Sequence, residues 1–174
     1  ISVDESGYLW LISHDTLLRY NFTNDRFDIY DISAFRKELM IPQATTAPTI
    51  SHPEPDRIWI VSTFICEFRI KDLNRLELLN DYKLEEGSYP VFLDFQFGIN
   101  HRLYVSETGR KWIFSNVGLF LLDENTGIFR EYKDEFPSDD FKGSGFLFWA
   151  SQDEGIFLFN REEQLLYTIP PEQA

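Results

Sequence analysis

Short apolar runs, broken by turn residues, fill most of this chain. They are clearest in Lys111–Tyr132, KWIFSNVGLFLLDENTGIFREY. WIFS and GLFLL are apolar at consecutive positions, the pattern of a strand whose sheet is covered on both sides. GIFREY keeps Phe129 and Tyr132 but admits Arg130 and Glu131, as a half-solvated outer strand does. DENTG between them supplies Asp, Asn and Gly where a hairpin needs left-handed backbone. The stretch therefore predicts strand, corner, strand, hairpin, strand, with Trp112 at its head.

Laid over the chain without gaps, the same frame recurs on Trp10, Trp59 and Trp149. One residue after each Trp stand Leu11, Ile60, Ile113 and Ala150; seven after stand Leu17, Cys66, Leu119 and Ile156. Nine after come Arg19, Phe68, Leu121 and Leu158. Seventeen after come Phe27, Leu76, Phe129 and Leu166, and twenty after come Tyr30, Leu79, Tyr132 and Ile169. A fourfold match of this kind is an internal repeat, and a repeat decides architecture before any single residue does. Sheets stacked around an axis bury their inner strands and leave the outermost wet, which is a β-propeller. The expectation is an all-β chain, one propeller segment over 1–174, with about four consecutive blade units at roughly 1–32, 48–82, 91–132 and 141–169. The recurring Trp side chains are expected to pack between blades and not to serve as sugar platforms, since a residue required at one repeat position is packing.

In chain order, Tyr8–Ser13, Leu17–Phe22 and Phe27–Ile32 are the first unit's strands. Ser33–Met40 predicts one or two helical turns with Ser33 as N-cap. Thr49–Ser51, Arg57–Ser62, Ile65–Ile70 and Leu76–Tyr82 make the second unit, and Val91–Phe97 and Leu103–Ser106 lead into the third. Gly118 and Gly155 mark the corner before the second core strand. The interval from Trp112 to Trp149 is the shortest between tryptophans, so the fourth unit should have a stunted inner strand near Phe141, or none.

Charge and cysteine usage exclude several classes. Sixteen basic and 29 acidic residues leave a net charge of −13. No Lys/Arg run interleaves with aromatics, so no nucleic-acid role is expected. No apolar run is long enough for direct membrane insertion. The single cysteine, Cys66, sits in an apolar strand and reads as a buried, inert thiol. No initiator Met is present and Ile1 already lies in a strand pattern, so the chain reads as a piece of a longer one.

Candidate chemistry is sparse. His14, His52 and His101 fall at unrelated repeat positions without ligand spacing, and read as turn or surface residues. Asn21-Phe22-Thr23 matches a glycosylation sequon. Ser2–Gly7 has the look of the Asp-box of sialidase propellers, but its Gly comes one residue late. Glu85-Glu86 and Asp139-Asp140 are adjacent in loops, and read as solvated faces before glycosidase pairs. No catalytic residue, metal ligand or cofactor is implied, and the ligand-binding residues stay unassigned. A ligand site should lie on the non-repeating loops Ser33–Pro48, Leu84–Pro90, Gly98–Arg102 and Lys133–Lys142.

The units resemble the two-component regulator propeller repeat. Asp4, Gly7, Leu9, Trp10 and Leu11 match it in the first unit, and Ile58, Trp59, Ile60 and Ser62 in the second. In the third the matches are Gly109, Trp112, Ile113, Gly118, Leu119, Asp123, Gly127, Phe129 and Tyr132; in the fourth, Trp149, Gly155, Ile156 and Asn160. The small pair expected after each Trp is replaced by Ile12-Ser13, Val61-Ser62 and Phe114-Ser115. The resemblance implies part of a larger, seven-bladed propeller in the periplasmic sensor region of a Bacteroides-type hybrid two-component regulator. Such a module would recognise oligosaccharides and signal to a histidine kinase elsewhere in the full chain, with no enzymatic activity in this segment. A glycan-processing propeller enzyme, sialidase- or lyase-like, and a protein-interaction scaffold are the alternatives. The end units would expose apolar faces, around Tyr8, Trp10 and Ile12 and around Phe146, Phe148 and Phe157. Further blades or a second copy would cover them.

Overall fold

The computed structural model describes residues 1–4, 6–13, 16–38, 49–61, 65–72, 75–85, 102–115, 118–132, 146–151, 153–160 and 164–174. Most of those residues are in strands, and they form two compact units, Ile1–Tyr82 and Lys83–Ala174.

In the first unit, β1 (Ser2–Val3), β2 (Leu9–Ser13), β3 (Thr16–Asn21) and β4 (Arg26–Asp31) form an antiparallel meander. Helix α1 (Ser33–Glu38) follows. Its first N–H, from Ser33, donates to the Asp31 carboxylate at 2.8 Å. Asp31 thus does the capping expected of Ser33, and residues 39–48 lie outside the described set. A second meander has β5 (Thr49–Ser51), β6 (Arg57–Val61), β7 (Ile65–Asp72) and β8 (Arg75–Leu84). The core between the two sheets joins Trp10, Leu17, Tyr30 and Ile32 to Ile50, Ile58, Ile60, Cys66 and Phe68.

In the second unit, β9 (Arg102–Val105), β10 (Lys111–Ser115), β11 (Gly118–Asp123) and β12 (Ile128–Glu131) repeat the meander. The DENTG turn closes as expected, with the Gly127 N–H donating to the Asp123 carbonyl at 2.9 Å. The last residues of β8, Lys83 and Leu84, belong to this unit and pair in parallel with Ile128 and Phe129. The fourth sheet has three described strands, β13 (Phe146–Ser151), β14 (Gly155–Asn160) and β15 (Leu165–Ile169). Here Trp112, Phe114 and Leu119 pack against Ile156, Leu158 and Ile169. The expected strand Val91–Phe97 and the inner strand near Phe141 fall outside the described residues.

The gapless frame needs a correction of register. Two residues separate β2 from β3 and β10 from β11, whereas three separate β6 from β7 and β13 from β14. Trp10 therefore lies opposite Arg19 and Trp112 opposite Leu121, but Trp59 opposite Glu67 and Trp149 opposite Phe157. A one-residue slip moves a side chain to the other face. Leu17 and Leu119 consequently share a face with their Trp, whereas Cys66 and Ile156 lie behind theirs.

Candidate functional site

Two buried polar clusters and one exposed aromatic face are the features that could carry function. The first cluster begins at the β1–β2 turn, where the Gly7 N–H donates to the Asp4 carbonyl at 2.9 Å. The Asp4 carboxylate accepts the Tyr8 N–H at 2.9 Å and the Trp10 indole N–H at 2.7 Å. The feature that looked like an Asp-box is thus a turn that orients the repeat Trp. The third sheet builds the same turn with Ser106, whose hydroxyl accepts the Arg110 N–H at 3.2 Å. Among the described residues the buried Trp112 indole N–H finds no acceptor. Asp4→Ser should leave Trp10 in the same condition while preserving the turn. The expected loss is about 1–3 kcal/mol, from a stranded buried donor, read as a lower urea midpoint with an unchanged slope.

His52 packs on the same Trp, ring centroids 4.9 Å apart, with Nε2 buried and, among the described residues, unbonded. It stands at the β5–β6 turn, in keeping with the turn-or-surface expectation, but its ring is packed. Burial pushes its pKa down to about 4; the Asp4 charge and a hydrogen bond with the Arg57 main chain oppose the shift. The unfolded chain takes up this proton first, near pH 6.5, so stability is lost as pH falls from there towards 4. The loss from this group is about 2–3 kcal/mol. His52→Gln should flatten that part of a stability-versus-pH curve.

Also on the inner face of the first sheet, the Arg19 guanidinium donates twice to Asp28, at 3.0 and 2.7 Å. It lies 4.8 Å above the Tyr8 ring and 5.6 Å above that of Trp10. Both partners are mostly buried, and the pair is satisfied internally.

The second cluster centres on Glu67 in β7, only 6% exposed. Its carboxylate accepts Arg57 Nη1 at 3.0 Å, Asn80 Nδ2 at 2.6 Å and the Tyr82 hydroxyl at 2.9 Å. Tyr82 in turn stacks on Trp59, centroids 4.8 Å apart. Sequence reasoning missed this network. Its one signal was a lone Glu inside ICEFRI, where an unpaired buried charge would be untenable. On the adjacent strand position, burial pushes the Cys66 thiol up to about 12, so it stays protonated and inert as expected.

The other candidates are used structurally or lie beyond description. Glu85 pairs with Arg130 at 3.3 Å. Glu86, Asp139, Asp140, His14 and His101 fall outside the described residues, as does most of the four expected ligand loops. Asn21 of the sequon accepts the Thr23 N–H at 2.9 Å in an exposed turn. Among the described residues no group of three or more His, Cys, Asp or Glu is placed to hold a metal.

The exposed face corrects an expectation. Trp10, Trp59 and Trp112 are at most 1% exposed, but Trp149 is 53% exposed. It stacks on Phe157 at 5.0 Å, beside the row of Phe159 and Leu166. The parity of β13 turns Phe148 inward onto Phe114, centroids 4.5 Å apart, so the open face is Trp149 with Phe157 and not Phe148. The Phe146 side chain is not among those described. In the first sheet, likewise, Trp10 faces the core, and the open side carries Phe27 and Ile29, 47% and 56% exposed.

No protein-family profile and no curated protein matches the chain. Solved structures do. One, an extracellular domain of a hybrid two-component system from B. thetaiotaomicron, aligns with a TM-score of 0.56 at 16% identity. A second, described as the extracellular domain of a one-component system from the same organism, aligns at 0.54 and 12% identity. Each alignment covers 98% of this chain, but the chain spans only 24% and 28% of theirs. The likeness is one of fold. Among the described residues, no helix is long and apolar enough to cross a membrane.

Proposed function

We propose that this chain is part of an extracytoplasmic, non-enzymatic sensing propeller of a hybrid two-component regulator. The four sheets are then consecutive blades of a larger propeller, and the ligand is an oligosaccharide. The observation that carries this reading is the Trp-headed repeat of antiparallel meanders. That arrangement aligns over 98% of its length with an extracellular domain of a hybrid two-component system. The polar clusters support it, since Asp4, Glu67, Arg19 and Asp28 spend their hydrogen bonds on packing the sheets.

Isothermal titration with a panel of oligosaccharides cut from plant and host polysaccharides tests the proposal, with product analysis on the same samples. Saturable binding of one oligosaccharide class without new reducing ends is the expected result. Turnover would replace the sensor with a glycan-processing enzyme. No binding to any member would leave the scaffold reading in its place.

A further inference from the structure

We propose that His52 is an acid-operated latch between the first two sheets. Its ring lies over Trp10 while neutral, and swings out to solvent on taking up a proton, which uncovers that end of the seam. The residue stands at the turn between β5 and β6, only partly exposed. Its ring reaches across to Trp10 in β2 of the neighbouring sheet, centroids 4.9 Å apart and planes tilted by 36°. A neutral imidazole donates from one nitrogen and accepts at the other. The hydrogen bond with the Arg57 main chain uses one of them. Nε2 is the other, buried and, among the described residues, unbonded. An idle acceptor there is tolerable, but a proton would turn it into a charged, buried donor with no partner, which is far costlier.

The groups around the ring do not meet that need. Asp4 lies across the seam, but its carboxylate already holds the Tyr8 and Trp10 N–H groups. From β3, the Arg19 guanidinium sits 5.6 Å above the same indole and carries the sign of the incoming proton. From β4, Tyr30 stacks on Trp10 and brings only a hydroxyl. On the ring's own turn, Glu54 and Asp56 pair with Arg57, which also binds Glu67. The way out, by contrast, is short. Glu54, Pro55 and Asp56 beside it are exposed, so rotation about the His52 side-chain bonds reaches water. The strand pairs from Thr49↔Val61 to Ser51↔Trp59 stay closed meanwhile. What opens is the cover over Trp10 and its bond to Asp4. Trp59 and Trp112 meet the phenol rings of Tyr82 and Tyr132 instead, which take up no proton in acid. The response is therefore confined to the first seam.

Proton NMR of the unmodified chain, titrated from neutral pH to about 4, tests the latch. The His52 ring signals are assigned by their loss in His52→Gln. At neutral pH the Trp10 indole should hold them well away from their solution positions. They should return to those positions in step with protonation, and the Trp10 indole N–H signal should move with them. Backbone amide signals of β2 and β6 should stay in place over the same range. A ring that protonates and keeps its displacement would overturn the proposal. So would a displacement lost only together with the strand signals, or a Trp10 signal that moves identically in His52→Gln.

Discussion

Trp112→Ala is expected to lower the stability of this chain by about 3–5 kcal/mol. The indole is fully buried and meets Tyr132 edge-on, centroids 5.1 Å apart, in the core shared with Ile156, Leu158 and Ile169. Two sheets converge there, so neither can collapse into the space without losing its own strand pairing. Trp149→Ala, at the same repeat position, should cost about 1 kcal/mol or less in the monomer, because solvent already covers half of that ring. Urea unfolding followed by circular dichroism on both variants checks the difference. Equal costs would contradict the packing described for the fourth sheet.

Gly155→Ala should be comparably damaging for a different reason. The residue has φ of +86°, and a methyl there would stand 2.1 Å from the Ile169 carbonyl oxygen and 3.0 Å from Pro170. The obstacle is backbone, which cannot rotate aside, and β15 would have to separate from β14. A loss of at least ~3 kcal/mol is expected from overpacking together with left-handed strain. Gly7→Ala is the control: its φ is +81° but nothing lies within 4 Å, so only the conformational part, about 1–2 kcal/mol, should appear. Thermal melts of the two variants separate the contributions.

The strands were legible because each carries its own signal. Apolar runs, the Asp123–Gly127 turn and the Trp at each sheet's head are local properties, and Thr49–Ser51 was read to the residue. Which face each Trp occupies was not legible, because that depends on whether two or three residues make the following corner. A frame laid without gaps averages over that difference, and so placed Phe148 on the open side. The exposure of Trp149 was hidden for a related reason: burial belongs to the neighbouring sheet, not to the residue. The partners of Glu67 and Asp4 were not legible, because a strand pattern records polarity but not partners. The Arg57, Asn80 and Tyr82 groups that make Glu67 tolerable come from the two neighbouring strands, β6 and β8.

The unequal surroundings of the four indoles make the protein its own optical probe. Trp10 donates to a carboxylate and touches an imidazole, Trp59 lies flat on a phenol ring, and Trp112, in an apolar core, finds no acceptor for its N–H among the described residues. Water reaches only Trp149 among them to any extent. Red-edge emission and collisional quenching by acrylamide therefore belong almost wholly to one residue, and that residue sits on the open face. Any occupant of the face should shift that emission to the blue and shield it from quencher, with no label attached and no other tryptophan disturbed.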